Sequence, residues 1–268
     1  MQKQRIKNRK DENIILLIAL SSHQKGLVFI MHGLGGSKEQ PHIVTFADAF
    51  KEKGFTVVCF DTTNTFGESE GRYENATTTR YYEDLEDVIF WTQSQQWYQE
   101  PFYLAGHSLG GLCIIYYAEH HLKKVKALAP ISTVISGKLS LDAPKYKGND
   151  FLQQWKETGW RIEQSKLSPL GTKRLPWSHM EDRFKYDILE KAFTLTLPVL
   201  LIVGENDDCT PPEQQRLFYD QLPAEKELHI IKGATHTFKE PYHLQEIKTL
   251  FLKWIDRTFD AHMQDTNG

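Results

Sequence analysis

Two stretches of the 268-residue chain fit the pattern G-x-S-x-G: Gly106-His107-Ser108-Leu109-Gly110 and Gly67-Glu68-Ser69-Glu70-Gly71. A serine in that pattern becomes a nucleophile when it sits on a strained turn between a strand and a helix, with small neighbours that let the backbone fold sharply. Context separates the two. Ser108 follows PFYLA, an apolar strand, and precedes LCIIYYAEHH, an apolar helix; Gly111 keeps the approach free of side chains. Ser69 lies between DTTNTF and RYENAT, polar on both sides. Ser108 is therefore the candidate nucleophile, and Ser69 is expected to shape the loop after the strand 55–60.

A serine hydroxyl needs a base to take its proton, and the base needs a carboxylate to orient it and to stabilise its cation. On a sheet that presents the serine this way, the acid and then the histidine follow in chain order. Downstream, VLLIV runs into Gly204-Glu205-Asn206-Asp207-Asp208-Cys209-Thr210-Pro211-Pro212, a strand end, an acidic turn and a proline at a helix start. Asp207, three residues past Gly204, fits the acid better than Asp208 or Glu205. The strand in ELHIIKGATHTF then delivers His236 behind Gly233-Ala234. Of the 11 histidines, His229 falls inside that strand and His243 inside the last helix, so His236 is the candidate base. The oxyanion of an acyl-transfer step needs two aimed backbone N–H donors. Leu109 directly follows the serine. Leu34 lies in His32-Gly33-Leu34-Gly35-Gly36-Ser37, where neither GxxxxGK[ST] nor GxGxxG is present to suggest a phosphate loop. His32 is expected to be structural.

These residues need loops that follow strands. Apolar runs at 26–31, 55–60, 101–105, 125–131, 199–203 and 228–231 alternate with helical patterns at 38–53, 78–96, 109–121 and 242–259. Continuous apolar strands between helices imply an α/β fold with a mostly parallel central sheet covered by helices on both faces. Ligand sites in such sheets lie beyond the carboxyl ends of the strands. The N-terminal residues read as a hairpin turning near 10–13, with the following strand at 26–31 as its pairing partner; only this hairpin need be antiparallel. The segment 132–196 breaks the rhythm and is too long for an ordinary loop. It reads as a small cap insertion, with 1–131 and 197–268 forming the core domain. Trp155, Trp160 and Trp177 fall inside it and either line a substrate pocket or form the cap's own small core.

Lys plus Arg number 32 and Asp plus Glu 35, a net charge of −3, which leaves no basic excess for a nucleic-acid backbone. No apolar run approaches a membrane span. The basic residues at 3–10 and IILLIAL at 14–20 look like parts of a signal peptide, but Asp11 and Glu12 interrupt them and no clean cleavage site follows. Three cysteines without a CxxC pair signal neither a disulfide framework nor a zinc site and suit the cytoplasm.

HGLGG, DTTNTFGESEG, GHSLGG, GENDDCTPP and GATHTF, in this order, resemble the α/β-hydrolase fold family. The nearer likeness is to bacterial carboxylesterases of the cinnamoyl/feruloyl-esterase and serine-aminopeptidase-like branch, over nearly the whole chain outside the cap. The resemblance implies Ser108 as nucleophile, Asp207 as acid, His236 as base, Leu34 and Leu109 as oxyanion donors, and hydrolysis of small esters or amides with no cofactor and no metal. A carboxylesterase acting on a small-molecule ester is the expectation. A serine aminopeptidase or amidase, an acyltransferase, and a ligand-binding protein without turnover are the alternatives. Oligomeric state is not readable from one chain.

Overall fold

The computed structural model describes residues 1–265 except 149, 166, 167 and 169. In chain order come β1 (Gln2–Lys7), β2 (Asn13–Ala19), β3 (Gly26–Met31), α1 (Pro41–Glu52), β4 (Phe55–Asp61), α2 (Thr78–Thr92), β5 (Phe102–His107), α3 (Leu109–His120), β6 (Val125–Ile131), α4 (Phe151–Thr158), β7 (Trp160–Gln164), β8 (Thr172–Pro176), α5 (Ser178–Arg183), β9 (Val199–Gly204), α6 (Pro212–Gln221), β10 (Lys226–Ile231) and α7 (Pro241–Asp265).

Eight strands form one sheet in the order β1-β2-β4-β3-β5-β6-β9-β10. From β4 to β10 the strands run parallel. All residues of β3, β4, β5 and β9 are buried, which is why their runs are apolar throughout rather than alternating. One apolar cluster on one face joins α2 and α3 to the sheet, and a second on the other face joins α1 and α7. The α/β architecture is as the alternating pattern predicts.

The N-terminal hairpin forms as expected, β1 against β2, but β2 pairs with β4 rather than β3, and that pairing is antiparallel too. The reason is edge availability. β3 is already flanked by β4 and β5, so the one open edge on that side belongs to β4.

Between β6 and β9 the chain leaves the sheet to form α4, the antiparallel hairpin of β7 and β8, and α5. Trp155, Leu175, Met180, Tyr186, Ile188 and Leu195 from this segment join the α2/α3 cluster. The segment therefore shares the core of the sheet instead of building a separate one.

Candidate active site

Ser108 is the residue between β5 and α3, with φ 55° and ψ −115°. This strained backbone is held because its flanks are too tight for anything but glycine. A Cβ on Gly106 would lie 2.6 Å from the Gly110 carbonyl oxygen, and one on Gly110 would lie 2.5 Å from that of His32. The Ser108 N–H donates to the Ile131 carbonyl (2.9 Å), fixing the turn to the end of β6. The hydroxyl consequently stands at the carboxyl edge of the sheet.

His236 Nε2 lies 3.0 Å from Ser108 Oγ, and its Nδ1 lies 2.8 and 3.0 Å from the two carboxylate oxygens of Asp207. A carboxylate only accepts, so Nδ1 carries the proton and Nε2 is the bare nitrogen that accepts the serine O–H. Asp207 is fully buried and takes two further hydrogen bonds on Oδ1, from the backbone N–H of Cys209 and of Thr210, both 2.9 Å. Burial pushes its pKa up, but the His236 hydrogen bond and charge and the Thr210 N–H outweigh it, so the carboxyl stays below its ordinary value. The neighbouring acids point elsewhere: Asp208 is exposed, and Glu205 accepts from the Gly233 N–H at 2.8 Å. The Asn206 N–H donates to the Ala234 carbonyl (2.8 Å), tying the acid loop after β9 to the histidine loop after β10.

The glycine-rich loop after β3 approaches from the other side. A Cβ on Gly33 would fall 2.9 Å from Ser108 Cβ, so only glycine lets the loop come this close. The backbone N–H groups of Leu34 and Leu109 have no hydrogen-bond partner among the described residues. For Leu109 this follows from its place at the start of α3, where N–H groups lack a partner one turn back. The loop itself is held down firmly. The Gly35 N–H donates to the Tyr81 hydroxyl (3.1 Å), and the Thr65 hydroxyl donates to the Gly36 carbonyl (2.5 Å). Lys38, with a side chain wholly out of solvent, donates through Nζ to the equally buried Asp61 and to Glu68, each at 2.7 Å. His32 is structural, as its sequence context suggests: Nδ1–H donates to the Gly33 carbonyl (2.7 Å) and Nε2 accepts from the Thr62 N–H (3.0 Å). Ser69 likewise shapes a loop. Its hydroxyl donates to the Asp61 carbonyl (2.7 Å) and accepts from the Ile15 N–H (2.9 Å).

Two residues escaped the sequence reading. His107 Nε2–H donates to the His236 carbonyl (2.8 Å), and its ring packs 4.7 Å from the His236 ring and 4.3 Å from that of His42. Burial drives both His107 and His42 down, His42 to about 3, so both stay neutral and form a polar but uncharged wall behind the base. The x position of G-x-S-x-G was the visible hint for His107; nothing in the sequence linked it to His42.

The one cation-sized cluster among the described residues is Asp207, Cys209 and His236, whose ligand atoms lie within 4.8 Å of one another. The carboxylate and Nδ1 are engaged with each other there, and burial keeps the Cys209 thiol protonated, pushed up to about 11. Trp155 is buried, donates from Nε1 to the Leu175 carbonyl (3.0 Å) and meets Trp177 edge-on at 5.4 Å; Trp160 is 37% exposed beneath the Arg174 guanidinium. Trp155 belongs to the apolar cluster under α2 and α3, and Trp177 packs against that cluster.

A hydroxyl, an imidazole and a carboxylate in series, beside two free N–H donors, can deprotonate an attacking oxygen and hold the negative charge that develops on an attacked carbonyl. The family described as serine aminopeptidase S33 matches residues 22–174 and 144–241. An uncharacterized 31.7 kDa protein of Escherichia coli is 26% identical over 239 residues, 78% of this chain and 82% of that one. The mitochondrial palmitoyl-protein thioesterase ABHD10 of Bos taurus is 24% identical over 84% of this chain and 71% of its own. Est1E from Butyrivibrio proteoclasticus, solved with ferulic acid bound, superposes with a TM-score of 0.80 at 21% identity over 96% of this chain and 99% of that one. With its mostly parallel sheet and this family match across most of its length, the chain belongs to the S33 serine aminopeptidase family of α/β-hydrolases.

Proposed function

We propose that the protein is a cofactor-independent serine hydrolase, a carboxylesterase that cleaves small esters through an acyl-enzyme on Ser108. The observation that carries this reading is the unbroken series Asp207–His236–Ser108 at 2.8 and 3.0 Å. Ser108 Oγ attacks the acyl carbon while its proton passes to His236 Nε2. The Leu34 and Leu109 amides hold the oxyanion. Collapse of the tetrahedral species breaks the C–O bond, and His236 returns the proton to the leaving alcohol. Water, deprotonated by the same imidazole, then releases the acid and restores the serine. Asp207 keeps Nδ1 protonated throughout. Residues 132–196 act as a cap over this site, and the free thiols of Cys59, Cys113 and Cys209 accord with a cytoplasmic setting.

Relatives named as a thioesterase and a monoacylglycerol lipase support acyl transfer to water. An aminopeptidase would need an anion to anchor the substrate ammonium, whereas the buried Arg183 and the half-buried Arg161 of the cap are cationic. The test is turnover of a short-chain p-nitrophenyl ester by the wild type and by Ser108→Ala. Removal of the nucleophile should lower kcat by a factor of the order of 10⁶. Unchanged turnover in the variant would overturn the assignment.

A further inference from the structure

Thr210 closes the acidic turn GENDDCT and stands directly before Pro211 and Pro212. A threonine at the start of a helix ordinarily caps it. Here Pro211 occupies the capping position of α6 and offers no side-chain hydrogen bond. The Thr210 hydroxyl is turned the other way, into the interior, where the residue keeps 3% of its surface. Three polar atoms meet it there: the Ser132 carbonyl oxygen at 2.9 Å, Asp207 Oδ2 at 3.0 Å and His236 Nδ1 at 3.3 Å. The Thr210 backbone N–H donates to Asp207 Oδ1 (2.9 Å). One residue thus touches both oxygens of the acid and the nitrogen that the acid orients.

A hydroxyl has one hydrogen and two lone pairs. The carbonyl and the ionised carboxylate can only accept, so the hydrogen is shared between them, and the charged oxygen is the stronger acceptor. The Asp207 side chain is wholly out of solvent. Its Oδ1 takes the N–H groups of Cys209 and Thr210, and its Oδ2 accepts from the His236 Nδ1–H and from this hydroxyl. Thr210 is itself held from behind. Gln215 of α6, fully buried, donates from Nε2 to the Thr133 carbonyl (2.8 Å) and to the Thr210 carbonyl (3.3 Å), and its Oε1 accepts from the Thr133 N–H (3.3 Å). Ser132 has φ 43°, a conformation that a non-glycine residue keeps only where its surroundings impose it. Its N–H is spent on the Ile202 carbonyl of β9 (2.7 Å), and its carbonyl faces Thr210. The same stretch grips the nucleophile: the Ser108 N–H donates to the Ile131 carbonyl, and the Val134 N–H donates to the Ser108 carbonyl (3.1 Å). Residues 131–134 therefore fasten the serine turn and the acid turn to one another, and Thr210 is where the acid turn is fastened.

We propose that Thr210 is a positioning residue for the acyl-transfer chemistry: its hydroxyl holds Asp207 Oδ2 against His236 Nδ1 and carries part of that oxygen's negative charge. This rests on the serine-esterase reading and deepens it. A carboxylate that gives some of its charge to a hydroxyl holds an imidazolium less tightly. Thr210 therefore keeps the base neutral, and able to accept a proton, down to a lower pH than Asp207 alone would allow. The other titratable groups nearby do not supply this effect. Burial keeps His107, His42 and the Cys209 thiol in their neutral forms, and Asp208 and Glu205 are exposed.

The experiment follows kcat/KM for p-nitrophenyl butyrate from about pH 5 to 9 in the wild type, in Thr210→Val, which keeps the shape and drops the hydroxyl, and in Thr210→Ser, which keeps the hydroxyl. The acid limb of that profile reports the ionisation of the base in the free enzyme. Thr210→Val should move it up by about 0.5–1 pH unit, a roughly three- to tenfold change in the proton affinity of the base. It should also lower kcat by about 3- to 10-fold, with KM within about twofold. Thr210→Ser should recover most of both. A packing role alone would lower the urea midpoint and leave the limb where it was. An unmoved limb in Thr210→Val overturns the proposal. So does a downward one, which would mean that the hydroxyl gives its hydrogen to Ser132 and accepts from Nδ1–H instead. Wild-type turnover that depends on Ser108 keeps the esterase reading intact in either case. The titration midpoint of the His236 ring, followed by NMR, needs no turnover. It should rise by the same amount in Thr210→Val and in Thr210→Ala, which loses the hydroxyl with no added bulk. Midpoints equal to that of the wild type refute the proposal even if no ester is cleaved.

Discussion

Two buried polar regions of the molecule differ in how their charges are balanced. On the sheet side, two buried charges are answered from within the chain: Asp207 by His236 and two backbone N–H groups, and Lys38 by Asp61 and Glu68. On the side of residues 132–196, Arg183 has no carboxylate and two arginine Nε atoms have no hydrogen-bond partner among the described residues. Self-sufficient networks hold a geometry whether or not a ligand is present.

Three measurements break or sharpen that contrast. The largest effect belongs to the carboxylate series. Asp207→Asn keeps the shape but can donate to Nδ1, which moves the imidazole proton to Nε2 and removes the base. A fall in kcat of about 10⁴-fold is expected on the aryl ester, and a fall below tenfold would mean that Asp207 does not orient His236. Next come the two buried cations. Lys38→Met strands the buried carboxylate of Asp61 and should cost about 3–5 kcal/mol in urea unfolding. Arg183→Met strands no acid, only the His179 Nε2 acceptor, and should cost less than Lys38→Met, so equal losses in the two variants would erase the distinction.

The third measurement is pH dependence. Burial holds His32, His42, His107 and His179 below their ordinary values, so all four stay neutral in the folded protein. Below about pH 6.5 the unfolded chain takes up protons that the folded chain refuses, and stability falls with pH until the folded values are reached. Each histidine contributes about 1.4 kcal/mol per pH unit over that window. Urea midpoints at pH 7.5, 6.0 and 5.0 should show a net decline beneath pH 6.5, partly offset by Glu119 and Asp84, whose carboxyls burial pushes up to about 8 and about 6 and which gain stability as the pH falls. A flat profile would mean that these rings are charged in the folded state.

The parts of this site that follow a local rule were readable from the sequence. Ser108 sits where an apolar strand, a glycine and an apolar helix coincide. His236 and Asp207 follow strands at the same edge, so strand periodicity alone separates His236 from His229 and His243. Other features depend on what the chain folds against. β2 joined β4 because β3 had no free edge, a fact about sheet order that no segment carries by itself. Trp155 and Trp177 could have faced a ligand or each other, and helical spacing does not distinguish these outcomes. Arg183 lies in SHMEDR, and the packing of α5 against α2 and β8 buries it.

The backbone at Ser108 has one more consequence. A non-glycine residue held at φ 55° and ψ −115° stores about 1–3 kcal/mol of strain, which glycine in its place would largely release. Heat resistance and chemistry thus pull this codon in opposite directions. A library of variants screened for melting temperature alone should drift towards losing the serine, and a hardened version of the enzyme has to be selected on turnover and heat together.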